Sequence, residues 1–520
     1  MKSKGTVYLV GAGPGDAGLL TMRGAELLGR AEVVVYDALV NPELLRLAPK
    51  SAEIIYGGKR ARQHTIPQHE LNQLLIAKAR AGKTVVRLKG GDPYVFGRGG
   101  EEAEQLADAG VAFEVVPGVS SFVAVPNYAG VPLTHRDFCS KLTLITGHED
   151  PAKEASSIDW AQVAKTPGTK VIMMGTDRIG QIAEMLVANG TPEDTPVVMV
   201  RWGTTGRQQS IEGTLATIAD VAAREKIAPP TVAVIGEVVK LRSKLNWFER
   251  RPLFGQRVVV TRARGQAASQ FARQLQELGA DVLEVPTIKI EPPTRREDVV
   301  DALLALNSYD WLIFTSSNGV MTFFDYFFRQ FHDMRDLGGA RIAAVGPATA
   351  NKLKELHLQV DLMPDEAIGS KIAEAFGEYQ SIENLKICLL RAEVANSELP
   401  AALEAMGAIV DDIGCYKTAP ETEDPTGAAA KLLESGADWV TFTSASTVEQ
   451  FHARFDLPQL LQKFPKIKLA SIGPETSKAL AALGLKPTIE AKQHTTEGII
   501  KALLAALVDS PVSVRELALR

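Results

Sequence analysis

VVRLKGGDPYVFGRGGEE (85–102) runs from an apolar strand through a turn of Lys89, Gly90, Gly91, Asp92 and Pro93 into a charged helix start. A glycine-rich turn at the C-terminal end of a strand lets the backbone approach a ligand closely. Working outward, Pro67 suits a first helical turn, and Leu71, Leu74, Leu75 and Lys78 recur at helical spacing. Gly82 suits the cap that follows, and a strand spans Thr84 to Leu88. The same alternation continues with TVYLV (6–10), VVVY (33–36), KVIMM (170–174), TVAVI (231–235), RVVVT (257–261), WLIF (311–314), RIAAV (341–345), KICLL (386–390) and WVTF (439–442). Short β-rich runs alternating with helical patterns predict α/β layers and mostly parallel sheets.

The 520 residues suggest about three or four domains. Apolar content of 45% and charged content of 23% are ordinary for a folded globular chain. A net charge of -5 without a long basic run argues against nucleic acid, while local Arg and Lys clusters still allow a polyanionic small molecule. Cys139, Cys388 and Cys415 are far apart, which fits a reducing compartment. Neither they nor His64, His69, His135 and His148 have metal-ligand spacing, so no metal is expected. The N-terminal apolar run is too short for a signal peptide or membrane span, and no other stretch approaches about 18 uninterrupted apolar residues. The expected location is the cytoplasm, with no membrane partner.

A boundary is expected in LNWFERRPLFGQ (245–256), giving domains at 1–248 and 257–510 and a linker at 249–256. Beyond it the sequence echoes itself. VVVTRAR (258–264) matches CLLRAEV (388–394), LGA (278–280) matches MGA (406–408), FTSSNGV (314–320) matches FTSASTV (442–448), and AVGPATANKL (344–353) matches ASIGPETSKAL (470–480). One strand–turn–helix set occurring twice in the same order predicts two similar α/β domains around a cleft.

In the first half, GAGPGD (11–16) follows the first strand. A dinucleotide fold is a rival reading, but its third glycine is replaced by Asp16, and Pro14 removes an N–H from the loop. A plain tight turn is an equal reading of the motif alone. The ordered set GAGPGD, VVVYDALV (33–40), GGKR (57–60), GGDPYVFGRGGEE (90–102), VPGVSS (116–121), GVPLTHR (130–136), TGH (146–148), MMG (173–175) and VIGEVV (234–239) resembles the uroporphyrinogen-III methyltransferase family. The resemblance spans 5–248 and implies two α/β subdomains holding S-adenosylmethionine between them. It implies cofactor contacts from Pro14, Gly90, Gly91, Asp92, Val95, Ser120, Ser121, Met174 and Gly203, with Ser120-Ser121 standing where relatives often have Thr-Ala. It puts a proton acceptor on Asp37 and a donor on Lys59. Asp37 also reads as a turn cap before Asn41-Pro42, and Lys59 as one member of a solvated cluster with Arg60 and Arg62. For an octacarboxylate substrate, Arg60, Arg62, Arg87, Lys89, Arg98 and Arg136 supply cations near the motifs, about half of them expected to touch substrate, Arg98 and Arg136 among these, and the rest to be ordinary surface charges. A homodimer through this half is implied as well.

From 256 to 510, VTRAR (260–264), FTSSNGV, AVGPATA (344–350), CYKT (415–418), FTSAS (442–446) and SIGPETSKAL (471–480) resemble uroporphyrinogen-III synthase. That implies a domain A of 257–290 plus 420–510 and a domain B of 291–419. It implies cyclisation of hydroxymethylbilane with inversion of the last ring, with Tyr416 as a proton donor. Thr315, Ser316, Ser317, Thr349, Ser444, Ser446 and Thr476 follow strands or open helices and suit substrate contacts or ordinary helix caps. Arg262 and Arg391 occupy equivalent places in the echo and suit propionates or surface ion pairs. Together the halves imply synthesis of uroporphyrinogen III and its methylation at C2 and C7 to precorrin-2. Because the chain starts at the methyltransferase, sirohaem formation by it alone is not expected. The rivals are an NAD-dependent oxidoreductase, a methyltransferase of a later precorrin, and a second half that only binds tetrapyrrole.

Overall fold

The apolar β-rich runs become strands because alternate residues bury on both faces of layered sheets. The computed structural model describes residues 5–58, 66–147, 158–263, 265–366 and 369–508. Among them, twenty strands make four five-stranded sheets. Residues up to 257 with 275–281 form one compact unit, and 258–274 with the residues from 282 form the other.

In the first unit β1 (Thr6–Gly11), β2 (Val33–Tyr36), β3 (Glu53–Tyr56), β4 (Thr84–Lys89) and β5 (Ala112–Val116) make a sheet ordered β3-β2-β4-β1-β5. All its pairings are parallel. The second sheet contains β6 (Leu142–Thr146), β7 (Thr169–Met173), β8 (Pro196–Arg201), β9 (Gln209–Thr214) and β10 (Thr231–Ile235), ordered β6-β7-β10-β8-β9. It departs from the expected parallel pattern: only β6 and β7 run parallel, and β10 lies antiparallel to both β7 and β8. Buried strands in either direction give the same continuous apolar run, so sequence period alone does not separate them. The helix Gln68–Arg80 starts one residue after Pro67, which is extended (φ −58, ψ 150) and outside the first turn. Gly82 takes φ +84, as a residue just past a helix end requires.

The second unit holds β11 (Arg257–Val260), β12 (Asp281–Glu284), β13 (Ile288–Glu291), β14 (Trp311–Phe314), β15 (Arg341–Ala344), β16 (Lys386–Ala392), β17 (Ile409–Pro420), β18 (Trp439–Phe442), β19 (Lys468–Ser471) and β20 (Ile489–Glu490), except that Arg257 and Asp281 themselves fall in the first unit. Its sheets are ordered β12-β11-β18-β19-β20 and β13-β17-β16-β14-β15. The echo is therefore structural: β11, β12, β18 and β19 occupy the same succession as β16, β17, β14 and β15. The long β17 pairs parallel with β16 and antiparallel with β13. The helix Ser317–Gln330 shows how an expected site residue is fixed. Phe323, Phe324 and Phe327 are at most 3% exposed, and the first two rings lie 5.5 and 6.1 Å from Phe314. Each buried ring stabilises by about 1.5–3 kcal/mol relative to exposure. That anchoring holds the helix start, with Ser316 as its N-cap, at the C-terminal end of β14.

Candidate active sites

Three loops after parallel strands meet in the first sheet. The loop after β1 joins the loop after β4 through Gly13 and Gly91, which exchange backbone hydrogen bonds of 3.2 and 2.7 Å. Gly91 needs a φ of +67 to do so. The loop after β5 approaches so closely that a Cβ on Gly118 would lie 2.2 Å from the Gly91 oxygen, and one on Gly11 2.5 Å from the Gly118 Cα. Asp92 ties the set together. Its Oδ1 accepts the Tyr94 N–H at 2.8 Å and its Oδ2 the Gly118 N–H at 3.0 Å. Pro14, Gly90, Gly91, Asp92, Ser120 and Ser121 all lie in these loops or at the helix start they lead into. Gly91 packs against Ser120 and Ser121. Gly203 reaches the same place, since the Asp16 N–H donates to Thr204 Oγ1 at 3.1 Å. Val95 is half-buried beyond Asp92, and Met174, 48% exposed, follows β7 in the other sheet. Five of the nine non-glycine residues with positive φ among the described residues are Phe96, Arg98, Met174, Trp202 and Thr204. Strained backbone thus concentrates at or beside the expected cofactor residues, as it does at ligand sites generally.

Asp37 stands one residue past β2, with its side chain 30% exposed. Arg87 Nη2 donates to its Oδ1 at 2.5 Å, and Lys89 Nζ lies 3.9 Å from its Oδ2. Arg87 and Lys89 are at most 3% exposed. They are engaged inside the protein with Asp37 and Glu102, so neither is one of the ordinary surface charges that the cation cluster allowed. Burial and then the adjacent Arg87 push the Lys89 ammonium below the usual lysine range, while Glu102 and Asp37 oppose that shift. Of the two substrate arginines expected here, Arg98 is exposed and paired with Glu101 at 2.6 Å, and Arg136 is exposed in the turn bridged by His135 and Cys139. Lys59 lies outside the described residues, as do Arg60 and Arg62.

In the second unit Ser316 and Tyr416 come together, hydroxyl to hydroxyl, at 2.9 Å. Ser316 also accepts the Gly319 N–H at 3.1 Å, so it caps the helix while its hydroxyl meets Tyr416. Burial raises the Tyr416 phenol, and hydrogen bonds to Ser316 and Asn318 oppose that, so the phenol keeps its proton at neutral pH. Thr315 and Ser317 flank Ser316. In the matching place Ser444 caps the helix Ala445–Phe455 through a capping box with Thr447 and meets Ser446 at 2.9 Å. Thr349 and Thr476 occupy matching first turns after Gly-Pro and are 4% and 2% exposed. Arg391 donates to both oxygens of Asp412 at 2.7 and 2.5 Å. Arg262 is half-buried, and among the described residues no hydrogen bond or ion pair holds its guanidinium.

A family model for tetrapyrrole (corrin/porphyrin) methylases matches residues 6–219, and one for uroporphyrinogen-III synthase HemD matches residues 269–501. The porphyrin biosynthesis protein HemD of Ruminiclostridium josui is 38% identical over 503 residues, covering 96% of this chain and 98% of that one. The chain belongs to the family of fused tetrapyrrole methylases and uroporphyrinogen-III synthases. Its methylase half is 53% identical over 242 residues to the S-adenosyl-L-methionine-dependent uroporphyrinogen III methyltransferase of Methanosarcina barkeri, covering 46% of this chain and 95% of that one. The crystal structure of uroporphyrin III C-methyl transferase from Thermus thermophilus is 40% identical and covers 46% of this chain and 100% of that one, with a TM-score of 0.39. Among the described residues, no helix is long and apolar enough to cross a membrane.

Within the methylase half, sequence reasoning missed Glu102, which receives both Arg87 and Lys89. Its signal is two cations at i and i+2 of a buried strand, which puts them on one face, followed by an acidic residue in the next helix. In the synthase half it missed Asp412, whose sequence position gives no sign that it faces Arg391.

Proposed function

We propose that the chain makes uroporphyrinogen III from hydroxymethylbilane in its synthase half and methylates it at C2 and C7 in its methylase half, giving precorrin-2. The observation that carries this reading is a backbone-lined loop cluster beside the partly exposed carboxylate of Asp37, in a chain whose other half is a synthase. Gly90, Gly91, Ser120 and Ser121 carry no side chain longer than a hydroxymethyl group, which fits S-adenosylmethionine held against backbone. Orientation then supplies much of the rate, because the donor methyl is already electrophilic. The donor's C–S bond breaks as the new C–C bond forms, positive charge passes to the macrocycle, and a proton leaves it for Asp37. Lys59 is the proton donor of this reading.

In the synthase half the bilane loses its hydroxyl as water, with Tyr416 supplying the proton and Ser316 aligning the phenol. Thr315, Ser317, Ser444 and Ser446 stand at strand ends or helix starts, where hydroxyl and N–H groups suit propionates and transient charge. Arg262 supplies a cation for one propionate. The test is anaerobic incubation with hydroxymethylbilane, with and without S-adenosylmethionine, followed by mass and isomer analysis. Isomer III alone without the donor and a dimethylated product with it are expected. Isomer I alone, the spontaneous product, would overturn the synthase assignment, and supplied isomer III left unmethylated would overturn the other.

A further inference from the structure

Glu102 is fully buried in the helix Gly99–Asp108. Its Oε1 accepts from Lys89 Nζ at 3.0 Å, Gln68 Nε2 at 3.1 Å and Arg87 Nε at 3.2 Å. Its Oε2 has no hydrogen-bond partner among the described residues. Arg87 and Lys89 leave the same face of β4, and β2 is the neighbouring strand. The far end of Arg87 holds Asp37 Oδ1 at 2.5 Å, with Lys89 Nζ 3.9 Å from Oδ2. Two buried cations therefore lie between two carboxylates, one sealed inside and one opening outward at 30% exposure.

We propose that Glu102 is a positioning residue for methyl transfer: by balancing and orienting Arg87 and Lys89, it sets the direction and basicity of the Asp37 carboxylate. The proposal rests on the reading of Asp37 as proton acceptor. Arg87 shows the geometry: with Nε fixed by Glu102, its planar guanidinium presents Nη2 to Asp37 in one orientation. Charge makes the second half of the argument. With Glu102 in place, two cations face two carboxylates. Without it, both would bear on Asp37 alone, holding it too firmly ionised to take up a proton. A buried group with one oxygen unpartnered is costly to keep, so a site that keeps it needs what it supplies.

The test uses the full chain with uroporphyrinogen III and S-adenosylmethionine under anaerobic conditions. In Glu102→Gln, kcat for methylation should fall at least about tenfold while KM for the methyl donor stays within about twofold, as for an interaction acting on the chemical step. The acid limb of the kcat profile should move to lower pH, because removing a negative charge makes Asp37 easier to keep ionised. Isomer-III formation by the other half should be unchanged. The double variant Lys89→Met with Glu102→Gln restores one cation to one carboxylate and should recover most of the lost kcat. An unchanged kcat and acid limb in Glu102→Gln, or losses that add in the double variant, overturn the proposal. If Glu102→Gln alone does not fold, a folded and active double variant supports it and a misfolded one overturns it. Asp37→Asn separates the two ideas. Near-full kcat there removes the reading of Asp37, whereas an inactive Asp37→Asn beside an unaffected Glu102→Gln removes the role of Glu102 only.

Discussion

Arg391 and Arg262 occupy matching places in the two repeated sets of the synthase half, one on β16 and the other two residues past β11. Arg391 is gripped through both oxygens of Asp412 on β17 and also donates to the Asn396 carbonyl. The place of Asp412 in the repeat is taken on β12 by Glu284, yet no pair with Arg262 forms among the described residues. Burial therefore depresses the Arg262 guanidinium, with only Glu497 opposing that shift. The difference teaches that a duplicated scaffold keeps its strands and loops while the neighbouring strand decides whether an arginine is locked in an ion pair. The serines differ in a related way: both cap helices, but Ser316 also reaches across to Tyr416, whereas Ser444 meets Ser446 and Thr447 of its own helix.

The comparison breaks most visibly at Tyr416. Tyr416→Phe should lower kcat for isomer-III formation by on the order of 10²-fold with the fold intact. A rate near the parent's would leave the two sets functionally alike. Next comes Arg391→Met, which should cost about 2 kcal/mol of stability in denaturant unfolding, below the usual loss for a broken buried pair because Asp412 is 38% exposed and regains water. Its KM for hydroxymethylbilane should not change. Arg262→Met should do the reverse, raising that KM about tenfold, or about 1.4 kcal/mol, with stability unchanged or slightly higher. Equal stability losses in the two arginine variants would erase the distinction. The smallest effect sharpens the serines: Ser444→Ala should cost about 1 kcal/mol as a lost cap, and Ser316→Ala a similar amount together with a slower kcat.

Much of this organisation was legible because it is local. The strand–glycine–helix passage at 85–102 and the four motifs of the twofold echo are patterns of neighbours in sequence, and local pattern follows backbone period. The charge partners were not legible. Arg87 and Lys89 read as cations near the motifs; strand period puts them on one face, but Glu102 arrives 13 residues after Lys89 from a helix whose packing onto that face local spacing does not fix. Thr349 and Thr476 open helices, and their low exposure is a tertiary result that no local pattern reports. The mixed direction of the second sheet was hidden for a similar reason, since a buried strand looks the same in either direction.

The contact between Gly11 and Gly118 also has a genetic consequence. With backbone already meeting backbone there, every one of the nineteen other residues brings a Cβ, proline included, and that atom has nowhere to go. No missense change in either codon is conservative, whatever its chemistry, so a population carrying this gene should vary at these two sites only through synonymous third bases.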